Sequence, residues 1–569
     1  MKRIFFIALL AMSSLMLQAQ EAAVPKWGSK AMKSIVEVLT YDKDGNLKSQ
    51  GTGFYISSDG VALADYALFK DAYSAVVVDV NGEKNDVKWI LGADDTYSVV
   101  KFKVATAGSS SKKKELPAAL PIAESAASEG AMVFMLKYSK EKVKTCATAQ
   151  ISSVKTVADS CLYYTLSYAT DDSYLCAPAF NAKGELLGVT QPSMGSNGYV
   201  LGIEFANRIG IKAITSKLNA LTLESIHIPK GLPDNDSESL VYLYMNSNRM
   251  ENEQYLDLLN LFIETWPDNA EGYVRRASPL IDMHKFEEAD QDLQTYLRLS
   301  QDKALAHTKI ADIINTKLVY QPEPAYEPWT FDVALGHANE AIAAQPDQLE
   351  YKMLKGQILM AKKDFRGAID LYDEILRGPD RSPEIYYVSS LAHEGAGDSI
   401  SIVIAALDSA LAMFPNPMPA EAAQYVLRRG QLYSVAGRYR DAVNDYNQYC
   451  FLCNNRVNVS FYYDRAKLEE KARMYQQALD DLTTAIGMSP KVPVLYIEKC
   501  ALLLKVNELG ECVNTAKQLL SFDAQNVDAL RIMGYAQTQS GNKAEGKANL
   551  QRAAELGDES AKEILKTIE

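Results

Sequence analysis

Histidine is scarce in this chain. There are five in 569 residues, and the first is His227. The first 226 residues therefore contain no imidazole to act as a general base. Long hydrophobic runs are also missing. After the N-terminal stretch no segment reaches eighteen uninterrupted apolar residues, which argues against a membrane-spanning helix. Basic charge is in deficit: 59 Lys and Arg stand against 72 Asp and Glu, a net charge of -13. Such a surface disfavours nucleic acid or an anionic membrane as the main partner. No phosphate-cradling glycine loop, His-Glu-x-x-His pair or calcium loop occurs, so no cofactor and no metal is implied. The apolar content of 47% excludes wholesale disorder.

The chain opens with Lys2 and Arg3, an apolar stretch from Phe5 to Met16, and Ala19 before polar Gln20 and Glu21. This pattern predicts a cleavable secretory signal over residues 1–20. The first cysteine is Cys146, so no thiol is placed to carry a lipid anchor. The ending Leu17-Gln18-Ala19-Gln20 resembles exported proteins of the Bacteroidetes, which implies periplasm or cell surface.

Two textures follow. Residues 21–225 read as short strands: Ser34–Tyr41, Gly53–Ser57, Ala75–Val80, Tyr97–Val104, Ala131–Lys137, Lys144–Ile151, Cys161–Tyr168, Glu185–Thr190 and Tyr199–Phe205. Ser110–Lys114 reads as a surface loop. Residues 226–237, polar and with two prolines, read as a linker. Residues 238–569 are helical, with a period near 34. Counting from Val459, Ala466 falls at position 8, Ala478 at 20, Leu482 at 24, Ala485 at 27 and Pro490 at 32. Further copies start at Ala270, Ala304, Leu349 and Ala423, and weaker ones near Asp236, Glu384, Pro493 and Val527. The Ala304 copy carries an insertion around residues 319–331. These phases resemble the tetratricopeptide repeat. About nine helix pairs in a superhelix are expected, each with small residues where its two helices touch.

In the strand region, Gly51, Gly53, Ile56, Ser57, Asp59, Gly60 and Leu63 lie in a pattern that resembles the trypsin-like serine proteases of the high-temperature-requirement branch. The later segments Ser98–Lys103, Ser173–Gly188 and Leu201–Ala206 continue it in order. The resemblance implies an all-β double β-barrel followed by the all-α repeat array. It places the catalytic His slot at Ala67, the Asp slot at Ser98 and the nucleophile slot at Leu175. A serine nucleophile needs a base to take its proton and an acid to orient that base. Ala67, Ser98 and Leu175 supply neither base, carboxylate nor nucleophile. The expectation is a pseudoprotease rather than an enzyme. Ser173 and Cys176 flank the nucleophile slot, and they are read as a solvated loop residue and a buried small residue or half-cystine.

The remaining candidates follow from position. The first helix of each repeat lines the concave face, so Met353, Gln357, Met360, Leu427, Gln431, Tyr463 and Lys467 are expected to meet a protein or peptide partner. Cys500 and Cys512 occupy positions 8 and 20 of one repeat, where either a disulfide or two small packing residues fits. Cys146 and Cys161 flank an expected hairpin and are a second candidate pair. Cys450 and Cys453 read as packing residues. The reading is an exported, non-catalytic interaction protein of the cell envelope. The alternatives are a hydrolase with displaced residues, completed for instance by His227, and a periplasmic holdase.

Overall fold

The structure, a computed structural model, describes residues 20–105, 118–141, 143–157, 160–214 and 217–568. The expected signal, but for Gln20, and the Ser110–Lys114 loop lie outside these residues. The chain forms two compact units, Met1–Gln301 and Asp302–Glu569.

The first unit begins with two barrels. β1 is Gln20–Ala23, β2 Ile35–Tyr41, β3 Leu47–Tyr55, β4 Val61–Asp65, β5 Ser74–Val78, β6 Lys84–Asp94 and β7 Val99–Val104. β8 is Met132–Met135, β9 Thr145–Val157, β10 Cys161–Leu166, β11 Pro178–Phe180, β12 Leu186–Met194 and β13 Asn197–Gly202. The first barrel closes in the order β2-β3-β4-β7-β6-β5. In the second, β9-β10-β13-β12-β11-β8 closes through β8–β9 pairing, and β1 adds to β9 from outside. Alternation along β2, with Val36 and Val38 buried, fills the first barrel alongside Tyr55, Phe69, Val100 and Phe102. Ile35, Phe54, Leu63, Val99, Phe180 and Leu201 form a second apolar cluster shared by both barrels.

Three first-unit strands beyond β1 are absent from the sequence reading: β4, β6 and β11. β6 starts with Lys84-Asn85-Asp86, whose polarity masks a strand buried at Val87, Trp89 and Ile90. The segment expected as a linker is also packed. Ile226 and Ile228 are buried in the first barrel's core. Ile90 N donates to Pro229 O and Gly231 N to Ile90 O, both at 2.8 Å, so this segment meets β6 through an isolated parallel bridge between Ile90 and Lys230. The Ile226–Ile228 alternation supplies the buried face, and the prolines sit where no ladder donor is needed. Beyond it, Trp89, Leu91 and Leu232 pack with Leu243, Tyr255, Leu258, Leu259 and Phe262. The first helix pair, Asp236–Asn246 and Asn252–Thr265, is thereby seated on β6. The pair Ala270–Asp282 and Phe286–Leu299 completes the unit.

The second unit stacks seven further helix pairs among the described residues, from Lys303–Tyr320 with Phe331–Ala344 to Val527–Gln539 with Lys543–Glu555, then ends in Glu559–Ile568. The expected insertion lengthens the first helix to Tyr320 and adds a loop. Lys317, buried, ties that loop by donating from Nζ to Pro322 O (3.1 Å) and Pro324 O (2.8 Å). The small positions are required by contact. A Cβ on Gly356 would lie 2.5 Å from Tyr372 Oη, and one on Gly534 would lie 2.8 Å from Gly546 O.

Candidate functional site

The three protease slots fall at the ends of barrel elements. Ala67 lies exposed in the short helix Tyr66–Phe69 that follows β4. Asp65 caps this helix, its Oδ1 accepting from Ala67 N at 3.0 Å. Ser98 precedes β7 with φ 50°, a left-handed conformation held by Tyr66 N donating to Ser98 O at 3.1 Å. Its hydroxyl donates to Asp65 Oδ1 at 2.5 Å. Leu175 follows a 3-10 turn over Asp172–Tyr174. Cys176 comes next, also left-handed (φ 54°) and 1% exposed, with Sγ 3.9 Å from Ser98 O. Burial pushes its thiol well above the ordinary value, and the nearby Asp65 carboxylate adds to this. A buried thiol held protonated is a poor nucleophile.

The structure thus gathers Ser98 and Cys176 around Asp65, a residue the sequence reading did not single out. The available signal was a lone carboxylate at the end of a strand, two residues before the His slot. Asp65 spends one oxygen on two local donors, Ala67 N and Ser98 Oγ, and so braces the helix turn against β7.

Around the nucleophile slot every backbone N–H from Ser173 to Ala177 has an internal acceptor. Ser173 N donates to Asp171 Oδ1 (2.9 Å), Tyr174 N to Asp171 O (2.9 Å) and Leu175 N to Asp172 O (3.0 Å). Cys176 N donates to Thr190 O (3.1 Å) and Ala177 N to Thr190 Oγ1 (2.8 Å). An oxyanion hole requires N–H groups aimed at the place where charge develops. Here those dipoles are committed to the loop itself and to Thr190 of β12. The hydrogen bonds that Ser173 gives Asp171 hold that carboxylate below its usual range. Lys137 Nζ donates to Ser173 Oγ. Lys137, Lys144, Glu141, Asp171, Ser173 and Tyr174 line a polar cavity of about 680 Å³.

His227, the nearest imidazole in sequence, stacks on Tyr73 with ring centroids 4.2 Å apart. The other four lie among the helical repeats, where His307 and His337 share an Nδ1–Nδ1 hydrogen bond of 2.8 Å and His393 meets Asp398 at 2.7 Å.

In the second unit, Met353 and Met360 are half-buried and Gln357 is exposed, all on Leu349–Lys362. Leu427 packs on an apolar core that runs from Val403 through Tyr425 to Leu468. Gln431 Oε1 accepts from Arg428 at 3.4 Å. Tyr463 Oη and Lys467 Nζ converge on Glu498, at 3.3 and 2.7 Å. Those two side chains therefore bridge neighbouring repeats. A partner would meet them as a neutralised cluster.

All seven cysteines are thiols in the structure. Strand register gives Cys146 and Cys161 different partners. Cys146 faces Ala22 on β1, whereas Cys161 faces Val157 at the other end of β9. β10 pairs with β9 only from Ile151 to Val157, so Cys146 lies on the part of β9 that pairs with β1 and does not oppose Cys161 in the hairpin register. Cys500 and Cys512 are brought together. Each sulfur lies 3.6 Å from the other residue's carbonyl oxygen.

Comparison with known proteins agrees with this architecture. Residues 51–189 match the trypsin-like peptidase domain, and residues 331–383 match the tetratricopeptide repeat. The DnaJ protein P58IPK homolog A of Oryza sativa is 23% identical over 308 residues, 53% of this chain and 59% of that protein. The mitochondrial import receptor subunit TOM70 of Mus musculus is 27% identical over 181 residues, 31% of this chain and 24% of that one. The Hsp70/Hsp90 co-chaperone CNS1 of Saccharomyces cerevisiae is 27% identical over 158 residues, 27% of this chain and 39% of that one. The chain thus spans about 60% or less of the length of each of these relatives. It carries a trypsin-like peptidase domain followed by tetratricopeptide repeats.

Proposed function

We propose that this protein is an exported, non-catalytic scaffold of the cell envelope. Its barrels are a pseudoprotease, and its repeats hold one or more protein partners. The observation that carries this reading is the state of the nucleophile loop. Leu175 stands in the nucleophile slot with its N–H bonded to Asp172 O, while Ala67 and Ser98 supply no base or carboxylate. Repeat surfaces bind peptide segments in their concave groove, and the half-buried Met353 and Met360 offer adaptable apolar contact there. The basic start and apolar stretch before Gln20 support export.

Two experiments test the proposal together. A fluorophosphonate probe applied to the mature protein should leave no label; labelling that disappears on heat denaturation would overturn it. Crosslinking in cells, followed by purification from the envelope fraction, should recover one or two proteins at near-equal stoichiometry. A second reading, a holdase for exported clients, is favoured by the relatives named as a DnaJ protein and a co-chaperone. Under that reading a broad set of unrelated exported proteins copurifies instead.

A further inference from the structure

We propose that Cys500 and Cys512 form a redox dithiol, which an external disulfide oxidises to a cross-link joining the helices Pro493–Lys505 and Leu509–Phe522. Neither the fate of the barrels nor the identity of a partner enters this inference.

The two residues occupy the closest approach between the helices of one repeat. In the neighbouring repeats the same two slots hold Ala466 with Ala478 and Gly430 with Ala442, so packing alone is satisfied by a methyl group or less. Here both slots carry sulfur. The side chains are 1% and 0% exposed, and each Sγ rests 3.6 Å from the opposite carbonyl oxygen. This reciprocal geometry places both sulfurs on the same seam between the two helices. The thiols are also linked to each other. The proximity of the two sulfurs holds Cys512 below its ordinary value and Cys500 above. Cys512 is thus the better thiolate. Two other buried cysteines are turned to oxygen elsewhere: Cys450 Sγ to Asn455 Oδ1 at 3.4 Å and Cys176 Sγ to Ser98 O at 3.9 Å.

The chemistry is thiol–disulfide exchange. The Cys512 thiolate attacks one sulfur of an external disulfide RSSR, forming a mixed disulfide and releasing RS⁻. Cys500 loses its proton and attacks the Cys512 sulfur, forming the internal bond and releasing the second RS⁻. The two thiol protons end on the two leaving thiolates. Two cysteine thiols are oxidised and RSSR is reduced to two RSH. Because both sulfurs are buried, exchange proceeds through local opening of the helix pair, and the closed cross-link is shielded from reductant in the same way.

The test uses the full chain, reduced and then incubated with oxidised glutathione. Free thiols are blocked with N-ethylmaleimide in denaturant before tryptic digestion. The expected result is peptide Cys500–Lys505 joined to Val506–Lys517, two hydrogens lighter than the two peptides summed, with both maleimide adducts lost. The melting temperature of the oxidised protein should rise. Cys500→Ala and Cys512→Ala restore the residue of neighbouring repeats, so both should fold, and each should abolish the rise. Cys500→Ala should in addition trap glutathione on Cys512. Recovery of both peptides separately alkylated, or joined to other cysteines, would overturn the proposal. A rise in melting temperature that survives either alanine variant would do the same.

Discussion

Arg465 and Asp481 form a two-pronged pair across the helices of one repeat. Nε meets Oδ2 and Nη2 meets Oδ1, each at 2.7 Å, while Nη1 reaches Asn447 Oδ1 in the preceding pair at 3.0 Å. The arrangement recurs at the same spacing of sixteen residues. Arg276 holds Asp292 and reaches Asn260, and Arg429 holds Asp445 and reaches Asp408. In each case the arginine directly precedes the small residue at position 8. A planar guanidinium has enough donors to bind a carboxylate in two places and still bridge to the next repeat. The small residue brings the helices close enough for this to happen.

Replacing Arg465 with Met should be strongly destabilising. Asp481 is 9% exposed in its side chain and would keep a buried charge without its partner. Loss of one member of such a pair costs about 3–5 kcal/mol. Urea unfolding should show it, and Arg465→Met combined with Asp481→Leu should recover a substantial part. Additive losses in the double variant would mean the pair is not coupled.

Glu469 lies beside that pair, with Nε of Arg465 3.9 Å away and its Oε2 buried without a hydrogen bond. Burial, reinforced by the Asp481 charge, pushes its carboxyl up to about 8 from an ordinary 4.5. The folded chain therefore keeps a proton that the unfolded chain releases. Glu469 favours folding most below pH 4.5, and its contribution declines as pH rises toward about 8. Glu469→Gln should flatten this decline and melt higher than the parent at pH 8.5. Parallel melting curves for the two proteins from pH 5 to 8.5 would refute this.

Restoring the three protease slots should not restore activity. The variant carrying Ala67→His, Ser98→Asp and Leu175→Ser would regain the side chains while the N–H groups of Ser173 and residue 175 stay bonded within the loop. Removing one oxyanion-hole donor already costs roughly 10²–10³ in rate. We expect no fluorophosphonate labelling and no peptide hydrolysis by this variant. Detectable turnover would show that the loop reopens.

The segment from Ile226 to Leu232 should resist limited proteolysis, since it is bridged to β6 at Ile90 and its apolar side chains are buried. Leu232→Asp would place a charge among Trp89, Leu243 and Phe262. That substitution should expose the segment to cleavage and release the helical part from the barrels. Equal digestion of parent and variant would contradict the packing.

The repeat phase was legible because an α-helix is a local structure. Position 8 and position 20 are small in repeat after repeat, and this can be read from one-dimensional spacing. The barrel landmarks were legible through glycine and apolar spacing, and so was the loss of the protease side chains. β6 was hidden because its polar start outweighed the buried residues that follow. The segment at 226–232 was hidden because proline and charge suggest a linker, while its partner strand lies 136 residues earlier, counting from Ile90 to Ile226.

Covalent identity settled which chemical groups stand at Ala67, Ser98 and Leu175, and helical periodicity settled the repeats; both properties are local to the chain. Tertiary structure decided what those positions touch. Asp65 and Ser98 are 33 residues apart, and Thr190 and Ala177 are 13 apart. Only closure of the barrels brings such groups within hydrogen-bonding distance. The same holds for the sixteen-residue Arg–Asp pairs and for Cys500 with Cys512. Each depends on the angle and separation at which two packed helices cross, which no single helix specifies.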